Sequence, residues 1–277
     1  MPELFTKIKS KLSRNAWIAV AGFCVAALLM ITILALLPEE NPTQSPPQSV
    51  PQATEPAPTL PRDEFAYVNG YLTCLTRPSQ LGIDISSHQE QINWEAVRSA
   101  GVEFVMLRLG YRGNDLGGIY EDEDFRANYA AARDAGLKIG AYFYSQAITV
   151  EEAQEEAAFA LTILQDYPLD MPLVYDWEVS GPGTRVDNMD RNTLTAATLA
   201  FCQAVEEAGL QPMIYFNPDQ ARTLLHMDQL IDYPLWLAMY SGEMTLEYPV
   251  DMWQYTNQGS VSGIDEYVDI NLYFPAN

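Results

Sequence analysis

Three times along this chain a helix-like stretch closes on Ala-Gly and runs straight into an apolar strand. No other feature constrains the fold as much. The copies are Trp94-Glu95-Ala96-Val97-Arg98-Ser99-Ala100-Gly101 before VEFVMLRLG, Tyr129-Ala130-Ala131-Ala132-Arg133-Asp134-Ala135-Gly136 before LKIGAYFYS, and Ala204-Val205-Glu206-Glu207-Ala208-Gly209 before LQPMIYFN. Glycine suits the left-handed position just past a helix end. Gly101 and Gly136 are 35 residues apart, and Gly136 and Gly209 are 73 apart, about one and two units of a common period. Helix alternating with strand at this period predicts a parallel sheet with crossover helices.

Five further apolar stretches read as strands: LGIDIS (81–86), PLVYDWEV (172–179), PLWLAMY (234–240), MWQYT (252–256) and YVDINLYF (267–274). Thr149 and Glu152 form a capping-box signature for a helix running towards Gln165. About eight strands, with helical patterns thinning after Arg222, predict an α/β fold of the irregular TIM-type (β/α) barrel class with a reduced number of helices. An open doubly wound sheet is the rival.

The segments before this domain are of another kind. Residues 1–15 form a basic tail with Lys7, Lys9, Lys11 and Arg14 against Glu3. Ala16 to Leu37 is a run of 22 residues without a charge. As a helix it spans about 33 Å, enough to cross a bilayer. After Leu37 the chain holds 11 basic and 36 acidic side chains. This asymmetry predicts one transmembrane helix at 16–37, the N-terminus in the cytoplasm and the remainder outside. A cleaved signal peptide is the alternative, but the run ends Leu36-Leu37-Pro38-Glu39-Glu40, without a small-x-small cleavage site. Residues 38–62 are a Pro-rich extracellular linker, with 8 prolines in 25 residues. Such a segment favours extended polyproline II and reaches about 78 Å. Residues 63–80 carry no readable role.

Charge and composition exclude several functions. The whole chain carries 15 basic and 37 acidic residues, a net −22, against a nucleic-acid-binding surface. Two histidines, His88 and His226, and three cysteines cannot build a Cys-rich zinc site or a disulfide scaffold. Neither a metal nor a cofactor is expected. Cys24 falls in the apolar run, while Cys74 and Cys202 lie outside it, and spacing does not say whether they pair.

In a parallel barrel the chemistry sits at the C-terminal ends of the strands. Four acids stand inside otherwise apolar strands: Asp84, Asp176, Glu178 and Asp269. Asp176 and Glu178 are two residues apart, so on a strand they point the same way, with Cα atoms about 6.6 Å apart. Like charge and partial burial raise the pKa of at least one member of such a pair. One acid kept protonated beside one kept ionised is what glycosidic-bond cleavage needs. A pair of solvated strand-end acids or a calcium site is the plainer reading of the pair. Asp84 alone also reads as a helix cap.

The stretches GIDISSHQEQINWEAVRSAGVEFVMLRLGYRG (82–113), DFRANYAAARDAGLKIGAYFYS (124–145), PLVYDWE (172–178), PMIYFN (212–217), LWLAMY (235–240), WQYT (253–256) and VDINLYF (268–274) resemble the glycoside hydrolase family 25 lysozymes, the Chalaropsis-type muramidases. The resemblance covers residues 81–277. It implies an irregular (β/α) barrel that cuts the β-1,4 bond between N-acetylmuramic acid and N-acetylglucosamine in peptidoglycan. It matches the family's D-x-E pair to Asp176 and Glu178, with Glu178 the implied proton donor. Its first-strand Asp is Asp84, its late Asp is Asp269 and its strand-three aromatic is Tyr142. Whether the nucleophile is a carboxylate, a water or the substrate's own acetamido oxygen stays open at this level. No wall-binding repeat is expected after the last strand.

Aromatic residues suit sugar rings, whose C–H faces lie on them. Tyr142, Tyr215, Tyr240 and Trp253 are the substrate-binding candidates, with Gln254 as an amide partner. His88, in the loop after the first strand, reads first as a surface residue, with substrate contact the alternative; His226 reads as a surface residue, and Trp177 is expected to face the helices. The expected protein is a membrane-anchored muramidase acting on peptidoglycan in cell-wall turnover. A non-catalytic wall-binding module and a glycosidase for another polysaccharide are the rivals. The presence of all four acids argues against the first.

Overall fold

The computed structural model describes residues 64–89, 91–240 and 248–275. The expected membrane span and Pro-rich linker lie outside the described residues, among which no helix is long and apolar enough to cross a membrane.

The strands are β1 (Phe65–Val68), β2 (Tyr71–Cys74), β3 (Gln80–Ile85), β4 (Phe104–Arg112), β5 (Ile119–Glu121), β6 (Lys138–Ser145), β7 (Leu173–Trp177), β8 (Pro212–Phe216), β9 (Leu235–Ala238), β10 (Met252–Gly259) and β11 (Val268–Tyr273). The helices are α1 (Trp94–Ser99), α2 (Phe125–Asp134), α3 (Val150–Leu164), α4 (Arg191–Glu207) and α5 (Pro218–Thr223). Eight strands close into a barrel in the order β3-β4-β6-β7-β8-β9-β10-β11 and back to β3. All eight stretches read as strands from sequence are in it.

The three repeat glycines have φ of 99°, 78° and 79° at Gly101, Gly136 and Gly209, the left-handed turn the motif implies. Thr149 caps α3 by accepting the Glu152 N–H at 3.2 Å. The Glu152 carboxylate reaches back to the N–H of Ile148, one residue before the cap.

The sheet departs from the expected parallel arrangement at one strand. β11 runs antiparallel to both β10 and β3. Only eight residues separate it from β10, too few for a helical crossover, so the chain returns by a hairpin.

The barrel interior is filled by Phe104, Met106, Val174, Met213, Trp236 and Met252. Gly82 and Gly140 make room for two of these. A Cβ at Gly82 would sit 2.2 Å from the Phe104 ring, and one at Gly140 would sit 2.5 Å from the Met106 sulfur. The apolar shell outside the barrel packs against the helices, with Ala153, Ala157 and Ala160 of α3 wholly buried. No α-helix follows α5 among the described residues. The β1–β2 hairpin, from the segment without an assigned role, covers the exposed side of the last two strands instead. Phe65 packs edge-on against Trp253 at 5.3 Å and Phe274 at 6.2 Å. The Tyr255 hydroxyl accepts the Leu72 N–H at 3.3 Å. Cys74 and Cys202 are buried free thiols, so the two do not pair.

Candidate active site

Strands β3, β7 and β11 bring all four acids to one end of the barrel, where they line a single cavity of about 430 Å³. Asp84 and Asp269 face each other directly across the β3–β11 ladder. Asp84 Oδ2 accepts from Asn271 Nδ2 at 2.8 Å and from Gln254 Nε2 at 2.9 Å. The same Gln254 nitrogen reaches Asp269 Oδ2 at 3.4 Å.

Both amides are held in that sense from behind. Gln254 Oε1 accepts from the hydroxyls of Tyr215 at 3.0 Å and Tyr240 at 2.6 Å. Asn271 Oδ1 accepts from the Trp236 indole N–H at 2.9 Å. The indole N–H can only donate, so the Asn271 nitrogen must turn to the carboxylate.

Asp176 sits inside β7 and is 5% exposed, and its Oδ1 has no hydrogen-bond partner among the described residues. Glu178 follows directly after β7. Its placement is set by two buried amides on neighbouring segments. Gln220 Nε2 donates to the Trp177 carbonyl at 2.6 Å, and Gln146 Nε2 donates to the Glu178 carbonyl at 2.7 Å. Trp177 itself faces outward, its indole N–H on the Ala147 carbonyl at 3.0 Å.

Burial is the first cause of every shifted carboxyl here. It pushes Asp176 well above the usual carboxylate range, with Glu178 and Asp84 adding like charge. It raises Glu178, helped by the charge of Asp84, while a hydrogen bond with Asp176 acts the other way. Asp269 is pushed up to about 9 by burial and by Asp84. Asp84 is also raised by burial, but hydrogen bonds from Asn271, Gln254 and Asp269 oppose the rise. The negative charge of the cluster therefore rests best on Asp84. Asp269, pushed up to about 9, holds a proton beside it.

Tyr142 and Tyr215 line this cavity as expected from their strand positions, and Tyr240 lines the flank beyond Glu178. Trp253 does not belong with them. Successive strand residues point to opposite faces, so with Gln254 inside, Trp253 faces outward onto the β1–β2 hairpin, its indole N–H on the Met239 carbonyl at 2.9 Å. The tryptophan of the site is Trp236, whose ring meets Tyr215 edge-on at 5.1 Å. His88 is exposed, as expected, in the 3-10 turn Ser87–Gln89 after β3 and also lines the cavity, while His226 is half-buried with its ring against Asn192.

Sequence reasoning missed Arg108, the basic residue of the cavity lining. Its Nε is paired with Asp122 at 2.7 Å and its Nη2 donates to Ser87 Oγ at 3.0 Å. A charge inside the otherwise apolar stretch FVMLRLG (104–110) was the available signal.

An eight-stranded barrel with four carboxyl groups and a lining of tyrosines at one mouth has the build of a glycoside hydrolase. The comparisons agree. The chain belongs to glycosyl hydrolases family 25, whose family model matches residues 83–264. It is 29% identical over 193 residues to the autolytic lysozyme of Clostridium acetobutylicum, covering 69% of this chain and 55% of that protein. The modular autolysin LytC from Streptococcus pneumoniae has a similar structure, with a TM-score of 0.65 and 24% identity over 76% of this chain and 52% of LytC. The bacterial lysozyme from Streptomyces coelicolor aligns with a TM-score of 0.57 and 23% identity, over 72% of this chain and 93% of that one. The chain thus spans about half the length of the first two.

Proposed function

We propose that the protein is a muramidase that hydrolyses the β-1,4 bond between N-acetylmuramic acid and N-acetylglucosamine in peptidoglycan. The convergence of Asp84, Asp176, Glu178 and Asp269 in one cavity carries this reading. Membership of the family and the likeness to an autolytic lysozyme support it. Glu178 is the proton donor to the leaving oxygen. It sits at the cavity edge, where burial and the charge of Asp84 raise its pKa, the direction a general acid needs. Asp84, fixed by three hydrogen bonds, supplies the negative charge that stabilises a cationic sugar ring in the transition state. Asp176, which lines the cavity and has one oxygen without a hydrogen-bond partner among the described residues, holds the substrate, and Asp269 hydrogen-bonds Asp84. Digesting purified peptidoglycan and identifying the new reducing end by mass spectrometry tests the assignment. Muramic acid is the expected end, and glucosamine or an intact polymer would overturn it.

The charge that presses on Glu178 fixes a pH dependence. A general acid works only while protonated, so activity falls as pH rises through its pKa. The like charge of the pair expected from strand spacing raises Asp176, whereas on Glu178 the Asp176 side chain acts through a hydrogen bond that lowers it. Asp84→Asn removes the repelling charge. The residual activity of Asp84→Asn is expected to lose its alkaline limb at lower pH than the wild type. An unmoved or raised limb would show that Asp84 does not act on Glu178 through space.

The reading extends to location. The basic tail, the uncharged run at 16–37 and the acidic remainder support a single-pass protein tethered to the cell membrane, with the catalytic domain outside and a role in cell-wall turnover. Protease added to intact protoplasts is expected to remove the barrel domain. Its full protection, or a mature protein lacking residues 1–37, would refute the topology.

A further inference from the structure

A second groove of about 620 Å³ runs on from the acid cavity, sharing His88, Arg108, Asn114 and Tyr144 with it. Its wall is the hairpin of β4 and β5. Tyr111 and Tyr120 stand directly opposite each other on that ladder, with ring centroids 5.5 Å apart and planes inclined by 32°. Tyr120 is 52% exposed, an unusual position for an aromatic ring beside a polar cavity.

The ring is seated on backbone. A Cβ at Gly118 would come within 2.6 Å of the Tyr120 hydroxyl, and one at Gly113 would touch the ring edge at 3.6 Å. The hairpin tip is itself pinned. Arg112 Nη1 donates to the Gly117 carbonyl at 2.8 Å, and Arg112 Nε is held by the buried Glu156 at 2.6 Å. The exposed aromatic surface is therefore set before a ligand arrives, which lowers the ordering cost of binding.

The charge of the groove narrows the ligand. Asp115 and Glu123 lie along it, beside Glu121, which is paired with Arg126. Its two arginines are already paired, Arg108 with Asp122 and Arg112 with Glu156. A carboxylate-bearing ligand meets net repulsion here. A neutral sugar does not. Its C–H face stacks on tyrosine, and its hydroxyls donate to carboxylates.

We propose that this groove is a saccharide subsite, with Tyr120 as its platform, for a neutral N-acetylhexosamine unit of the glycan strand beyond those held at the acids. The proposal rests on the muramidase reading and names how that site grips a long strand.

The test uses Glu178→Gln protein, which holds oligosaccharides without cutting them. Its affinity is measured for GlcNAc–MurNAc oligomers without stem peptides, from tetrasaccharide to octasaccharide. Affinity is expected to climb with length. Adding Tyr120→Ala should lower octasaccharide affinity about tenfold, whereas Tyr120→Phe, which keeps the ring, should retain it. Thermal unfolding of each variant verifies the fold. Unchanged octasaccharide affinity in a folded Tyr120→Ala protein overturns the proposal. So does a loss seen only with strands that carry stem peptides, which would make the groove a peptide site. Hydrolysis of peptidoglycan by the wild type is followed alongside. If it fails, the muramidase reading and the subsite both fall. If it proceeds while Tyr120→Ala binds normally, only the subsite falls.

Discussion

Glu178→Gln is expected to reduce peptidoglycan hydrolysis by at least about 10²–10⁴-fold, the usual worth of general acid catalysis, with the protein still folded. The amide keeps the size of the side chain but has no proton of suitable acidity for the leaving oxygen. The substitution spares the structural role of this position, because Gln146 holds the backbone carbonyl of Glu178 and not its carboxyl. Substrate affinity should therefore survive while kcat collapses. Retention of more than about a tenth of wild-type activity would move the acid role to another residue, since one position in the mechanism is worth far more than that. Asp176 would be the next candidate, as burial pushes its pKa up as well.

The second large effect concerns stability, away from the cavity. Glu156 is wholly buried behind β6, where its carboxyl accepts from Arg112 Nε and from Ser145 Oγ, each at 2.6 Å. Glu156→Ala strands the guanidinium of Arg112, itself 3% exposed. Removing one partner of a buried pair costs about 3–5 kcal/mol. Glu152 and Glu155 also approach Arg112, so the lower end, about 3 kcal/mol, is expected. For a domain of this size that is a fall of roughly 6–12 °C in melting temperature, measurable by calorimetry. The pH dependence has a definite sign. Burial pushes Glu156 up to about 7, so the folded state binds the extra proton between the ordinary glutamate pKa and that value. This contribution to stability is present at low pH and is lost as pH rises through about 7. Glu156→Gln should flatten that part of the profile. A fall under about 1 kcal/mol for Glu156→Ala would mean that Arg112 finds enough of its pairing in the other two glutamates.

Much of the barrel was legible because its signals are local. The Ala-Gly helix ends need only the turn geometry of Gly101, Gly136 and Gly209, and all three adopt it. The acids announced themselves for a similar reason: a charge within an apolar strand must be solvated, paired or used. What escaped depends on long-range register. Trp253 and Gln254 are adjacent in sequence, and only the phase of the pleat decides which faces the cavity. Apolar character did not separate Trp253 from Trp236, since both are buried. Arg108 carried the same signal, a charge within an apolar strand, but its partner Asp122 lies 14 positions away, so nothing local marked it as a cavity residue. The direction of β11 was missed because strand patterns carry alternation but no polarity. The short connection before it was the usable clue.

That reversed strand also decides where the two ends of the domain lie. After seven strands rising to the mouth, β11 descends and delivers Phe274 to the base, where its ring stands 6.2 Å from Phe65, near the start of the described residues. An eighth ascending strand would have released the chain beside the catalytic cleft. With its ends adjacent and far from the cleft, the barrel behaves as a cassette. It can be spliced between other modules, or circularly permuted by a short linker joining the two phenylalanines, without its neighbours obstructing the mouth.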